Sequence, residues 1–115
     1  MLLLTAAVCA SGTPAAETAN ATTPKFRPAW ASWYGPGLIG NALGCGGTLR
    51  TTSIGVAHKT LACGTRLRIC AKRCHDARVI DRGPYVAGRE FDLTMELARR
   101  VGLSGVGRIY VRSDA

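Results

Sequence analysis

These 115 residues have room for one domain. Fifteen Lys and Arg stand against seven Asp and Glu, a formal net charge of +8, and a domain this basic is drawn to polyanions. Nucleic acid is not the expected one, because the chain has no basic helix, zinc-finger spacing or aromatic-basic strand signature.

The chain opens on the apolar run Met1 to Ala10, with Val8-x-Ala10 as a small-residue cleavage site. It reads as a secretory signal peptide whose basic start is missing, and it is too short to span a bilayer. Lipid anchoring through Cys9 is not expected, since Val8 is a poor fit to the small residue such processing uses. Ser11 to Pro28 is rich in Ala, Thr, Pro and Asn without apolar periodicity and is expected to be a disordered linker. That leaves 29–113 as the folded domain, a small one with a thin core.

Trp30 to Tyr34 alternates large and small residues and predicts the first strand, ended by Gly35-Pro36-Gly37. One of Trp33 and Tyr34 should pack inward while the other offers a flat face to a ligand. Leu38 to Thr52 is a long Gly- and Asn-rich loop, and such a loop in a small domain is usually functional or a lid. Ser53 to Ala57 predicts a second strand that delivers His58, and Arg66 to Cys70 alternates basic and apolar residues strictly. Ala71-Lys72-Arg73 closes a hairpin onto Cys74 to Ile80; His75, in that hairpin, has no evident partner and should face solvent. Thr94 can cap a helix through Val101, with Gly102 as its stop, and Gly107 to Arg112 is the closing strand. Six short strands and one short helix (about 94–101) predict a mainly β domain, a closed barrel that leaves no exposed edge.

Four cysteines fall in this domain, an even number suited to an oxidising compartment. Three pairings are open. Cys70 with Cys74 across the hairpin is favoured, because paired strand neighbours lie near the Cα separation a disulfide accepts, and Cys45 would then take Cys63. On the loop-entropy view the two bridges contribute about 2 and about 3 kcal/mol. A zinc site is not expected, since Cys70-x3-Cys74-His75 lacks a well-spaced second pair. No other cofactor is implied.

Val79 to Thr94 is where the chemistry concentrates. Asp81 follows the apolar pair Val79-Ile80, and Asp92 follows Glu90-Phe91; Gly83-Pro84 and Gly88 let the chain turn and return between them. Two carboxylates at the rims of two short strands can face one groove. Each also has a plainer use, Asp92 as part of the helix cap with Thr94 and Asp81 as an acceptor for backbone N–H groups in its turn. His58 either holds a strand end or orients an acid or a sugar.

The segments Ala31-Ser32-Trp33-Tyr34-Gly35-Pro36-Gly37, Ala57-His58-Lys59-Thr60-Leu61, Gly64-Thr65, Ile80-Asp81-Arg82-Gly83-Pro84 and Phe91-Asp92-Leu93-Thr94 together resemble the rare lipoprotein A-like domain. The resemblance implies a six-stranded double-psi β-barrel related to those of expansins, barwin-type proteins and family-45 endoglucanases, and an action on peptidoglycan as a septal lytic transglycosylase. It places Asp92 and Asp81 where the groove acids of expansins and endoglucanases stand. The transglycosylase-like members carry Glu and Asp in the loop ahead of the motif histidine, at the positions Gly47 and Arg50 hold here. Cys45-Gly46-Gly47-Thr48-Leu49 fits a cysteine-containing subgroup that shares this loss.

Hydrolysis of a glycoside generally needs two carboxylates, whereas a lytic transglycosylase uses the sugar's own 6-hydroxyl as nucleophile and can work with one positioned acid/base. The expectation is a secreted, monomeric cell-envelope domain whose partners are peptidoglycan glycan strands and, through its charge, anionic wall polymers. Asp81, Asp92 and His58 are the catalytic candidates; Tyr34, Trp33, Thr48 and Arg82 are the sugar-contacting ones. The alternative is an expansin-like module that binds wall glycan without cutting it.

Overall fold

The computed structural model describes residues 24–114. The expected signal peptide, Cys9 and most of the expected linker lie outside the described residues. Six strands, β1 (Arg27–Trp33), β2 (Val56–Ala57), β3 (Arg66–Cys70), β4 (Cys74–Asp81), β5 (Phe91–Leu93) and β6 (Gly107–Ser113), close into a barrel in the order β1-β5-β2-β4-β3-β6. The β1/β5 and β2/β4 pairs are parallel and the other four antiparallel. This is the mainly β, double-psi barrel with one short helix, α1 (Met95–Val101), that the sequence predicts.

The alternation explains the core. In β3, Leu67 and Ile69 point in while Arg66 and Arg68 point out; Ala77 and Val79 of β4, Ile109 and Val111 of β6, and Phe91 and Leu93 of β5 complete the interior. Leu97, Ala98 and Val101 of α1 close it from one side. The Thr94 Oγ1 accepts the Leu97 N–H as N-cap, and Gly102, in the left-handed region at φ 82°, ends the helix. Both expected disulfides are present, Cys45–Cys63 and Cys70–Cys74, the latter across the registered pair at the end of the β3/β4 hairpin.

Two elements differ from their expected bounds by more than one residue. Strand β1 begins at Arg27, three residues before the expected start at Trp30, because its first half pairs with β6. Strand β2 is only Val56–Ala57, not Ser53–Ala57. Gly55 is diverted: its carbonyl accepts the Thr94 N–H (3.0 Å) and its own N–H goes to Thr94 Oγ1 (3.3 Å), so it anchors the helix start rather than a ladder. A Cβ there would stand 2.7 Å from Ile80 Cδ1 and 3.0 Å from the Arg78 carbonyl oxygen. Gly55→Ala is accordingly expected to lower unfolding free energy by about 1–3 kcal/mol in a denaturant titration; an unchanged midpoint would refute the close packing of β2 on β4.

The long loop after β1 is pinned rather than free. Ala42 bridges to Thr48, Gly40 N–H bonds the Leu49 carbonyl, Cys45 N–H bonds the Ile80 carbonyl, and Cys45 is disulfide-bonded to Cys63. Leu49 packs with Tyr34 and Ala57 in a second small apolar cluster under the loop, flanked by Ile39 and Leu43. This cluster is the floor against which the candidate site is built.

Candidate functional site

Strand register assembles the site. Ser32 of β1 pairs with Asp92 of β5, Asp92 with Ala57 of β2, and Ala57 with Asp81 of β4. One row thus crosses four adjacent strands and brings both aspartates to the same band of the barrel, two strands or about 10 Å apart at the backbone. A register shift between Val56 and Ala57 sets Asp81, not Ile80, opposite Ala57, as a bulge re-aims a side chain.

The two carboxylates are held differently. Asp81 has both oxygens occupied: Oδ2 accepts the Tyr34 hydroxyl (2.6 Å) and Oδ1 the Gly44 N–H (2.6 Å) from the pinned loop. Asp92 Oδ1 accepts the Ser32 hydroxyl, and its Oδ2 has no donor among the described residues. Neither aspartate is in an ion pair among the described residues, and Asp92 takes no part in the helix cap, which Thr94 makes alone. The plainer use foreseen for Asp81 is met in part, by an N–H from another loop rather than from its own turn.

Tyr34 is 7 % exposed, and burial first, its bond to Asp81 second, push its phenol well above the ordinary value. Tyr34 therefore keeps its phenol proton and donates it to Asp81, and Trp33, 37 % exposed, is the ring of the pair that reaches the surface. Thr48 is exposed beside its bridge to Ala42. Arg82 turns away from the row: its guanidinium donates to the carbonyls of His58 (3.1 Å) and Leu61 (2.5 Å) and lies 3.4 Å from Cys63 Sγ, so it braces the loop after β2. Among the described residues, no group of His, Cys, Asp and Glu side chains is arranged to hold a metal ion.

His58 is not hydrogen-bonded to either aspartate through its ring. Its backbone N–H bonds the Asp81 carbonyl (3.1 Å), while Nδ1 accepts the N–H groups of Thr60 and Leu61 (3.1 Å each). Nε2 therefore carries the ring proton and donates it to Glu90 Oε2 at 3.0 Å. The ring sits 4.8 Å from that of Phe91, 9 % exposed. His75 is likewise partnered: Arg100 reaches its Nε2 (3.2 Å) and its Nδ1 donates to the Asp76 carbonyl (2.6 Å), tying the hairpin to α1 rather than facing solvent free.

Glu90, Ser32, Gly44 and Arg27 enter the site without having been singled out. Arg27 holds Glu90 by two bonds of 2.8 and 2.5 Å. That pair, opposed by partial burial and aided by His58, keeps the Glu90 carboxyl below its ordinary range. A carboxylate depressed on folding contributes stability above its unfolded pKa and loses it as pH falls through the folded value. The expected outcome for Glu90→Gln is a shallower loss of stability on acidification below about pH 4.3, seen in melting curves taken across that range; a loss as steep as the parent's would assign it to other groups. Because Glu90 and Arg27 are partly exposed, the effect is modest. Glu90 and Asp92 share one face by simple alternation about Phe91, which was the available signal.

The family model described as lytic transglycolase matches residues 29–113. A probable endolytic peptidoglycan transglycosylase RlpA from Synechocystis sp. is 38% identical over 96 residues, covering 79% of this chain and 30% of the relative. The endolytic peptidoglycan transglycosylase RlpA of Campylobacter jejuni is 38% identical over 87 residues, covering 73% of this chain and 32% of the relative. The chain spans about a third of the length of these two relatives. Among solved structures, the apo expansin of Clavibacter michiganensis superposes with a TM-score of 0.62 at 22% identity, over 79% of this chain and 51% of that one, a likeness of fold.

Proposed function

Since the chain belongs to the lytic transglycolase family, we propose that it acts outside the cytoplasm on the glycan strands of peptidoglycan and cleaves them by transglycosylation. The observation that supports this most is the row itself: among the described residues Asp92 keeps one oxygen free of donors while Asp81, in the same band, has both of its own fixed. In this reading Asp92 delivers a proton to the bridging oxygen as the glycosidic bond breaks. It then accepts the proton of the sugar's 6-hydroxyl as that oxygen bonds the anomeric carbon. The product is a 1,6-anhydro end, no water is consumed, and Asp92 returns to its starting state. Asp81, oriented by Tyr34 and Gly44, opposes the positive charge that develops at the anomeric carbon. Trp33 offers its exposed ring to a sugar, as Thr48 does its hydroxyl.

The oxidised cysteine pairs suit an extracytoplasmic setting, where disulfides persist. The net charge of +8 suits an anionic wall.

A second reading has its own support. Gly47 and Arg50 stand in the loop where the resemblance leads one to expect acids; Gly47 is an exposed bend at φ 82°, and Arg50 is exposed with its backbone N–H bonded to Ser53 Oγ (3.0 Å). A module that binds wall glycan without cutting would need no such acids. Incubation with purified sacculi separates the two: solubilised glycan is expected for the enzyme. Co-sedimentation without release would favour the binding module, and neither would contradict both.

A further inference from the structure

Where β3 begins, a cavity of about 480 Å³ is lined by Arg66, Arg78, Asp76 and Asp114, with the apolar side chains of Ile54 and Ala77 among the others. Arg66 and Arg78 are registered partners on the antiparallel strands β3 and β4, and both are exposed. Directly opposed like charges on neighbouring strands, with Cβ atoms about 5 Å apart, destabilise the pair. The two acids of the cavity are already engaged elsewhere. Asp114 accepts from Arg112 with both oxygens (2.7 and 3.3 Å), and Asp76 Oδ1 accepts from Arg68 (2.9 Å). Among the described residues Arg66 and Arg78 make no ion pair at all. Two opposed guanidinium groups therefore border one cavity without a counter-charge of their own.

The directions from which they arrive select the anion. A carboxylate presents two oxygens in one plane, which a single guanidinium fork matches. Two forks reaching in from adjacent strands are better served by oxygens in more than one plane, and a tetrahedral phosphate has them. The cavity is also larger than a bare phosphate requires and falls within the ordinary range of small-molecule sites, roughly 300–1,000 Å³. Its apolar lining at Ile54 and Ala77 leaves room for an organic group behind the anion.

We propose that this cavity binds a phosphate ester, with the phosphate oxygens shared by Arg66 and Arg78 and the organic part lying against Ile54 and Ala77. Neither arginine belongs to the row that carries Asp92 and Asp81, so the assignment stands apart from the glycan reading.

The probe is sn-glycerol 3-phosphate, titrated into the full oxidised chain while the Arg66 and Arg78 amides are followed by nitrogen-15 NMR. Both signals are expected to shift saturably, and the Arg66→Gln, Arg78→Gln double variant to bind about tenfold more weakly, as loss of charge-assisted bonds implies. The Arg50→Gln, Lys59→Gln variant loses the same charge from exposed positions outside the cavity and should bind as the parent does. Absence of saturable shifts, or equal weakening in the two double variants, would overturn the proposal. Glutarate binding as tightly as the probe would overturn the assignment to phosphate.

Melting curves in low-salt, phosphate-free buffer give a second check. Arg78→Gln relieves the opposed charges, so it should melt no lower than the parent, while an excess of the probe should raise the parent's melting temperature and leave the variant's unchanged. An equal gain in both would count against the site. Vesicles containing phosphatidylglycerol then distinguish the source. Flotation of the parent but not of the Arg66→Gln, Arg78→Gln variant with them would assign the phosphate to a lipid headgroup, and flotation of neither to a soluble ester.

Discussion

Asp92→Asn is expected to lower the release of glycan fragments by about 10²–10⁴-fold, the ordinary contribution of a positioned acid/base, while leaving the melting temperature nearly unchanged. The asparagine Oδ1 can still accept the Ser32 hydroxyl, and the side chain is half-buried with no other partner among the described residues, so the fold loses little. Asp81→Asn gives a contrasting result. Tyr34 can turn from donor to acceptor and Oδ1 can keep the Gly44 N–H, so the variant removes only a charge and is expected to slow release about tenfold, the equivalent of about 1.4 kcal/mol. The ratio between the two variants is the informative quantity. If Asp81→Asn proves the more damaging, the roles assigned to the two aspartates are exchanged.

The second large effect is structural. Replacing Cys45 and Cys63 by Ser opens a loop of 18 residues' separation, which on the chain-entropy account costs about 3 kcal/mol, against about 2 kcal/mol for the Cys70–Cys74 pair. For a domain this small that is a large part of its total stability. The site should also suffer beyond the fold, because Cys45 adjoins Gly44, whose N–H positions Asp81, and Cys63 lies 3.4 Å from the Arg82 guanidinium. Denaturant titrations of the two double-serine variants, read beside fragment release in native buffer, check both parts. The Cys45/Cys63 variant should fall further in stability and lose most of its release, while the Cys70/Cys74 variant keeps release at temperatures where it is folded. Equal loss of release in both would mean that the long loop does not hold the site together.

How far these features were legible follows from how local they are. The β3 and β6 alternations, the α1 caps at Thr94 and Gly102, and the β3/β4 hairpin with its disulfide each depend on residues a few positions apart, and each stands in the structure as the sequence suggests. The early start of β1 and the shortness of β2 depend on partners 39 to 84 positions away: Gly55 on Thr94 and Arg27 on Val111. Periodicity in one segment carries no trace of such pairings.

The site divides the same way. Asp81 and Asp92 are visible because each follows an apolar strand residue, Ile80 and Phe91. That Ser32 serves Asp92, that Gly44 serves Asp81, and that the His58 ring turns to Glu90 are consequences of parallel pairing, loop return and barrel closure. Arg82 shows the limit most clearly. Its place beside Asp81 in sequence suggests a sugar contact, whereas three acceptors on the loop after β2 engage its guanidinium.

If the strand's own 6-hydroxyl displaces the leaving sugar, the ends of the products report it directly. Purified peptidoglycan is incubated with the oxidised chain and with Asp92→Asn, and the soluble fragments are analysed by mass. Fragments ending in 1,6-anhydro sugars, absent with Asp92→Asn, are the predicted result. Fragments with reducing ends, or anhydro ends released undiminished by Asp92→Asn, would contradict it.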